Sequence, residues 1–347
     1  MTHLVARADR DPHLGARIVR RLPLRFSPAA DPHDPERPAH VRAASGLAWW
    51  GGRLVAVQDD ALWLVRIDPG SGSCQALALP PFPGAEEARL FDEGRGNKRR
   101  KPDLEACLVG GEEAGLLIGL GSGSTPAREQ LLVLPLQPGA AARWVAAPAL
   151  YARLRAVPAF AGLGLNLEGA ALLPGGGLRL FQRGNGAPRE GVRPWSATCD
   201  LPAAPLLAAL QQGQAPPGLE PARVLRWELG ELGGVPLGFT DAAPGPGGRV
   251  AFLAAAEDSA DAVEDGGVTG SALGVIDAEG AGRWAPLGEA PLKAEGLALD
   301  PRDPARAWVV LDPDDPERPA DLLEVALDGP WWGEADPPGR RVSGGAR

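Results

Sequence analysis

The stretch Asn166-Leu167-Glu168-Gly169-Ala170-Ala171-Leu172 opens an apolar segment with a carboxylate, and similar stretches recur along the chain. Segments 103–108 and 293–299 repeat the acid, whereas segments 45–48 and 240–243 carry a hydroxyl in its place. Aligned on that residue, the five anchors are Ser45, Glu105, Glu168, Thr240 and Glu295. They recur at intervals of roughly 55 to 72 residues, which is room for one propeller blade each.

Short apolar runs separated by Gly- and Pro-rich turns follow each anchor, and this pattern is typical of an all-β chain. The repeats predict a five-bladed β-propeller, with residues 18–26 supplying the outer strand that the last repeat lacks. Six blades are the alternative and would need a degenerate repeat that the sequence does not show. A helical solenoid is disfavoured because the apolar runs are too short for helices.

No change in composition divides the 347 residues, so we predict a single propeller domain over residues 17–332. Residues 1–16 are charged and unpatterned, and we predict that they form a flexible arm. Residues 333–347 are predicted to be a disordered tail.

The formal net charge of −9 argues against a nucleic-acid-binding protein, whose surface is normally basic. Three isolated cysteines do not form a disulfide framework and indicate a reducing compartment. The N-terminus has no apolar segment of signal-peptide length, and no stretch is apolar enough to cross a membrane. We therefore expect a protein of the bacterial cytoplasm, without a nucleic-acid or membrane partner.

All four histidines, His3, His13, His33 and His40, precede the first anchor. The repeats therefore lack the usual general base, which excludes a histidine-dependent catalytic triad there. A histidine metal cluster is disfavoured for the same reason.

The anchors predict a metal site on the propeller axis, because the first strand of every blade lines the central channel. Three carboxylates at one level would repel and take up protons unless a cation lay among them. Carboxylate and hydroxyl oxygens without sulfur or imidazole favour calcium, with magnesium as the alternative. The other interpretation is that these acids only accept hydrogen bonds from backbone amides around a water-filled channel.

The order hydroxyl, Glu, Glu, hydroxyl, Glu, with one residue per predicted blade, resembles the calcium-activated nucleotidases of the apyrase family. That resemblance implies an axial calcium held by the five anchors Ser45, Glu105, Glu168, Thr240 and Glu295. The chain departs from the family, which is typically secretory, and its nucleotide-binding residues have no match in this sequence. The starts Asp103-Leu104-Glu105 and Asn166-Leu167-Glu168-Gly169 also resemble uncharacterised bacterial phytase- or esterase-like propellers.

The loops that enter first strands and leave second strands share one end of a propeller, because successive strands are antiparallel. All three lysines and all three asparagines of the chain fall in these loops. An axial cation surrounded by such groups suits an anionic small molecule. The predicted ligand-binding residues are Lys98, Lys101, Asn166, Arg183, Asn185 and Lys293. The candidate general bases are Glu257, Asp241 and Asp103.

Three functions agree with these features. The first is a metal-dependent hydrolase of a phosphorylated or otherwise anionic small molecule. The second is a non-catalytic propeller that binds a ligand or a protein, with a structural metal on the axis. The third is a lactonase- or esterase-like propeller. The substrate and the oligomeric state stay open at this stage.

Overall fold

The computed structural model describes residues 4–110, 115–184, 186, 188–258, 267–288 and 291–333. The described chain is mostly β-strand. The strands of the first half are β1 (Val5–Arg10), β2 (Gly15–Pro23), β3 (Arg25–Phe26), β4 (Ala44–Trp50), β5 (Arg53–Gln58), β6 (Trp63–Ile67), β7 (Ser73–Ala78), β8 (Leu104–Val109), β9 (Leu116–Gly121), β10 (Gln130–Pro135), β11 (Arg143–Ala146) and β12 (Leu167–Leu173). Those of the second half are β13 (Gly177–Gln182), β14 (Ser196–Pro202), β15 (Ala222–Glu228), β16 (Glu231–Leu232), β17 (Val235–Pro244), β18 (Val250–Asp258), β19 (Gly267–Ile276), β20 (Gly282–Pro286), β21 (Ala294–Asp300), β22 (Asp303–Leu311) and β23 (Asp321–Asp328).

Three short helices, which the strand pattern of the sequence did not predict, lie between strands: α1 (Pro148–Arg155), α2 (Pro158–Ala161) and α3 (Ala203–Gln211). Each begins at or next to a proline, a residue that is favourable in the first turn of a helix. Among the described residues, no helix has the length and apolar character needed to cross a membrane.

The strands form four sheets. Three of them each contain one set of successive strands, and in two of these an N-terminal strand, β3 or β2, adds to the outer edge. The orders of these three sheets are β4-β5-β6-β7-β3, β8-β9-β10-β11 and β21-β22-β23-β2. The fourth sheet is a large curled one with the order β12-β13-β14-β15-β1-β20-β19-β18-β17-β16. It holds two antiparallel sets that β1 joins through parallel pairing with β15 and β20. The architecture is all-β and consistent with a propeller.

Strand β2 supplies the outer strand of the last set, as predicted, but over residues 15–23 in place of 18–26. Arg25–Phe26 forms β3 and pairs with β7 of the first set instead. Strand β2 pairs antiparallel with β23 along its whole length, from Gly15 opposite Asp328 to Pro23 opposite Asp321. The pairing joins the two ends of the chain and covers the edge of the last sheet.

Residues 1–16 contain regular structure where the sequence analysis predicted only a flexible arm. Val5–Arg10 forms β1, and Ala8 is buried against Gly282 and Trp227. The outer edges of two neighbouring sets would otherwise expose unpaired backbone groups, and β1 satisfies both. Its sequence is too short and too charged to reveal this partner. Of the predicted tail at 333–347, all but Gly333 lies outside the described residues.

The first strands of the five sets, β4, β8, β12, β17 and β21, contact one another in a closed cycle in that order. Their backbones approach very closely just after the anchors. A Cβ atom on Gly46 would lie 2.3 Å from a backbone nitrogen of β8, and one on Gly296 would lie 2.1 Å from a backbone oxygen of β4. Glycine is therefore required at these positions, and the channel is narrow there.

The hydrophobic core lies between adjacent sets. Between the third and fourth sets, for example, Phe239 packs edge-to-face against Phe181 and Phe252, with ring centroids 5.0 and 5.3 Å apart. This packing holds the first strands at fixed positions around the axis.

Candidate functional site

All five anchors lie where the first strand of a set bulges. In β4, β8, β12, β17 and β21 the pairing with the second strand shifts register at the anchor. A β-bulge re-aims the side chain of the extra residue, and bulges are common next to active sites. The same backbone feature, a β-bulge, therefore orients all five anchor side chains, which are Ser45, Glu105, Glu168, Thr240 and Glu295.

The three anchor glutamates lie within electrostatic reach of one another. Burial raises the pKa of Glu105 well above its usual range, and the charges of Asp103, Asp59 and Glu295 raise it further. Burial raises the pKa of Glu168 to about 8, and the charge of Glu105 adds to the shift. Burial also raises the pKa of Glu295, with a contribution from Glu168. Acids in this arrangement bind protons, or a cation in their place.

Cationic side chains accompany two of these glutamates. Arg183 Nη1 lies 3.4 Å from Glu168 Oε2, and Arg183 Nη2 donates to Glu257 Oε2 at 2.5 Å. Lys293 Nζ lies 3.8 Å from Glu295 Oε1. These cations oppose the effect of burial on the pKa of each glutamate without cancelling it.

A group of acids beside Glu105 comes closer together than the three anchor glutamates do. Asp59, Asp103 and Glu105 offer ligand atoms within 4.8 Å of one another, the single such group of three in the described part of the chain. We call it the three-acid group. Ser45 Oγ donates to Glu105 Oε2 at 2.8 Å and adds a hydroxyl oxygen. Lys101 Nζ forms ion pairs with Asp59 and, at 2.9 Å, with Asp103.

The three-acid group fits a hard cation. Asp103 has a left-handed backbone, with φ of 55°, of the kind that clusters at functional sites. Although burial raises the pKa of Asp103, Lys101 and Arg128 outweigh burial and lower it, so this acid stays ionised. Asp59 Oδ1 is buried and accepts no hydrogen bond from a described residue. Carboxylate and hydroxyl oxygens, one of them without a donor, are ligands that calcium accepts.

The structure brings the five predicted metal ligands together only in part. Ser45 and Glu105 are hydrogen bonded and adjoin the three-acid group. Thr240 Oγ1 donates to a backbone carbonyl of β21 at 2.7 Å. Glu168 and Glu295 lie beside their cations and outside the three-acid group.

The three predicted general bases all have partners in the described chain. Asp241 accepts hydrogen bonds from backbone amides of β17 and β21, each at 2.7 Å, and from one of β4. Burial raises its pKa well above the usual range, and these amides lower it. Asp241 therefore ties three first strands together. Glu257 pairs with Arg183, and Asp103 belongs to the three-acid group.

The predicted ligand-binding residues divide between the axis and an open cleft. Asn166 Nδ2 donates to Glu168 Oε1 at 2.5 Å, and Arg183 and Lys293 are buried among acids. Lys98 and Lys101 line the cleft. Asn185 lies outside the described residues.

This cleft, of about 560 Å³, reaches the three-acid group at Asp59 and is more acidic than the sequence analysis predicted. Twelve charged side chains line it. The acids are Asp59, Asp60, Asp92, Glu93, Asp312, Asp314, Asp315 and Glu317, and the bases are Arg42, Arg95, Lys98 and Lys101. The surplus of acids favours a cation in the cleft, and an anionic ligand would need that cation first.

Three residues of the cleft were not among the predicted site residues. Arg42 Nη2 lies 2.7 Å from Asp60 Oδ2 and 3.1 Å from Asp92 Oδ2. Burial and the charge of Asp59 raise the pKa of Asp60 to about 7. Arg42 could have been found from the sequence, because it lies just before the anchor Ser45. Lys101, Asn166 and Lys293 lie just before other anchors in the same way.

Residues 40–327 match the sequence model of a family of unknown function, DUF6929. The chain belongs to DUF6929. The match includes all five anchors and every first strand of the DUF6929 chain. A comparison with curated proteins gives no match in sequence.

Three solved structures illustrate what the DUF6929 chain resembles in shape. A mannose phosphorylase from Leishmania mexicana, in complex with a phosphate ion, is 14% identical with a TM-score of 0.43, over 89% of this chain and 88% of that one. The PQQ-bound aldose sugar dehydrogenase of Streptomyces coelicolor is 12% identical with a TM-score of 0.44, over 92% and 100%. A putative gluconolactonase is 13% identical with a TM-score of 0.38, over 94% and 99%. The nucleotidase resemblance continues to rest on the anchor pattern alone.

Proposed function

We propose that this protein is a five-bladed β-propeller that binds a divalent cation, calcium before magnesium, and uses it to bind and hydrolyse an anionic small molecule. The observation that carries the proposal is the three-acid group, in which Asp59, Asp103 and Glu105 converge while Asp59 Oδ1 has no donor among the described residues. A buried carboxylate oxygen without a partner is costly, and a cation removes that cost.

The blade count is supported by the arrangement of strands. Each of the five antiparallel sets begins with an anchor strand, and the five anchor strands form a closed cycle. The ten-stranded sheet counts as two blades because β1 joins their outer edges. The cytoplasm remains our proposed location, and the three free cysteines support it.

The residues that would hold the cation are Asp59, Asp103 and Glu105, with the Ser45 hydroxyl beside them. When bound, the cation would supply positive charge that polarises an anionic group of the ligand. Lys98 lines the open cleft and would contact the same group. The acidic lining would exclude anions until the cation is present, so ligand binding would depend on calcium.

A non-catalytic binding propeller is the second candidate, and a specific observation favours it. Asp241, Glu257 and Asp103, the acids predicted as general base, all hold protein partners. A base that must first break a buried ion pair is poorly prepared for proton transfer. The lactonase- or esterase-like reading shares the cation and differs only in the substrate.

Calcium titration of chelator-treated protein by calorimetry tests the cation site. We expect one calcium per chain, and we expect Asp59→Asn and Glu105→Gln each to weaken binding on the order of tenfold or more, since each removes a charged ligand. Asp303→Asn, an exposed acid of β22, is the matched control and should stay within about twofold. Equal losses in all three variants, or no calcium binding by the unaltered protein, contradict the site.

A substrate panel then separates enzyme from binding protein. Phosphate esters, carboxylic esters and lactones are assayed with and without calcium, and binding of inorganic phosphate is measured in parallel. Calcium-dependent turnover that Glu105→Gln abolishes supports the hydrolase. Calcium-dependent phosphate binding without turnover of any substrate supports the second candidate.

A further inference from the structure

The axis holds a second cavity, on the far side of the narrow part of the channel. The residues that follow the anchors, namely Gly46, Ala106, Gly169, Asp241 and Gly296, form a layer in which the first strands nearly touch. The acidic cleft is lined by residues that precede the anchors, such as Arg42. The second cavity is lined by residues that follow this layer in all five first strands.

This cavity is lined mainly by apolar residues, whereas the cleft is lined mainly by charged ones. Its volume is about 470 Å³, within the range of small-molecule sites. The lining is mainly apolar, with side chains such as Leu47, Val109 and Leu172. Among the described residues that line it, Asp300 is the single charged one, and Trp49 adds an indole Nε1 without a hydrogen-bond partner. An apolar cavity of this size suits the hydrocarbon part of a small molecule.

We propose that this cavity binds a small apolar amine, whose hydrocarbon part fills the cavity and whose ammonium group pairs with Asp300. The proposal is independent of the cation site, since the strand layer separates the two.

The negative charge of Asp300 in the cavity lining favours an amine as the ligand. Asp300 Oδ1 accepts a hydrogen bond from the Arg302 backbone at 2.9 Å, and Oδ2 accepts a long one of 3.4 Å from Trp308 Nε1. Each oxygen keeps a lone pair for a further donor. No ion pair with Asp300 occurs within the described residues, and no basic side chain lines the cavity, so a carboxylate-bearing ligand would be repelled.

A set of three probes with one hydrocarbon part tests the proposal: 4-phenylbutylamine, 4-phenylbutan-1-ol and 4-phenylbutyrate. Binding to the full chain is measured by calorimetry. We expect the amine to bind about tenfold more tightly than the alcohol, the factor expected for one partly screened ion pair. The carboxylate should bind more weakly than the alcohol.

Two variants and one control separate the contributions of the charge and of the apolar lining to probe binding. Asp300→Asn should bring the amine to within about twofold of the alcohol and leave the alcohol unchanged, because only the charge is removed. Asp328→Asn makes the same change at an exposed acid of β23, outside the cavity lining, and should not affect any probe. Val109→Phe enlarges a partly buried lining residue and should weaken all three probes by about tenfold or more.

Cys107 gives a second measurement that does not depend on a variant. All three cysteines are buried, and of the three only Cys107 lines the cavity. Saturating amine should slow modification of Cys107 by methyl methanethiosulfonate and leave the other two cysteines unaffected. The proposal is overturned if the carboxylate binds as well as the amine, if Val109→Phe leaves binding unchanged, or if the unaltered protein binds none of the probes.

Discussion

At the scale of single residues, the proposed cation site already contains an internal cation, the ammonium group of Lys101. Lys101 lies between Asp59 and Asp103, and its charge also lowers the pKa of Glu105. The ammonium therefore neutralises part of the three-acid group. Burial still raises the pKa of Asp59 and Glu105, so one ammonium does not satisfy these acids.

Lys101→Met tests whether the group requires a second cation. Removing the ammonium leaves three adjacent acids without their nearest positive charge, so we expect the melting temperature in chelator to fall by several degrees. Calcium should restore stability by a larger increment in Lys101→Met than in the unaltered protein, because it replaces the lost charge. The measurement is thermal unfolding with and without calcium.

Lys98→Met is the matched control, since Lys98 lines the same cleft and lies 3.9 Å from Glu93, an acid outside the three-acid group. Its calcium increment should equal that of the unaltered protein. A smaller increment in Lys101→Met than in this control would show that the lysine helps to bind calcium, contrary to our expectation.

At the scale of elements, the sequence predicts the strands whose pattern is local and misses those whose role is set by distant partners. The anchor strands are recognisable because an acid or hydroxyl precedes an apolar run, and the structure places a bulge at each. β1 is a short charged segment whose partners lie more than 200 residues away. The cleft of Arg42, Asp60 and Asp92 is also non-local, because four separate segments of the chain build it.

Contacts with distant residues also set the charge around each anchor, which the anchor pattern alone does not reveal. Glu168 and Glu295 share their repeat position with Glu105, yet Arg183 and Lys293 accompany them. Those cations come from positions where the other sets carry different residues. A repeat therefore predicts where side chains lie but not which charges meet there.

β1 provides a prediction about the seam between two sets. Ala8 is buried, and its Cβ lies where any side chain at Gly282 would collide with it. Ala8→Leu should overpack this seam and reduce the free energy of unfolding by about 1–3 kcal/mol. Chemical unfolding monitored by tryptophan fluorescence measures the change.

Arg7→Leu is the control within the same strand, since Arg7 is exposed and its ion pair with Glu228 is exposed as well. The loss of such a pair should cost less than about 1 kcal/mol. Equal effects of the two substitutions would mean that β1 does not pack as described.

At the scale of the whole molecule, the closed cycle of first strands concentrates acids at one end of the axis and apolar side chains at the other. The layer at Gly46, Gly169 and Gly296 separates them, and Asp241 links three strands within it. Stability should therefore depend on the protonation of acids that the fold itself forces together.

Glu168 is one of the buried acids that should make stability depend on pH. Its pKa is about 8 in the folded chain because of burial, opposed by Arg183 and reinforced by Glu105, against an ordinary value of 4.5. Between these two values the folded state holds a proton that the unfolded state releases. The free energy of unfolding should therefore fall as pH rises from about 5 to 8, in chelator, and level off above that. Glu168→Gln cannot lose a proton and should make the slope in this window shallower by the contribution of one group, whereas Glu228→Gln, an exposed acid, should leave the slope unchanged. Calcium should flatten the slope of the unaltered protein as well, because a cation near the axis opposes protonation of these acids. A slope that Glu168→Gln leaves unchanged would show that other groups carry the pH dependence.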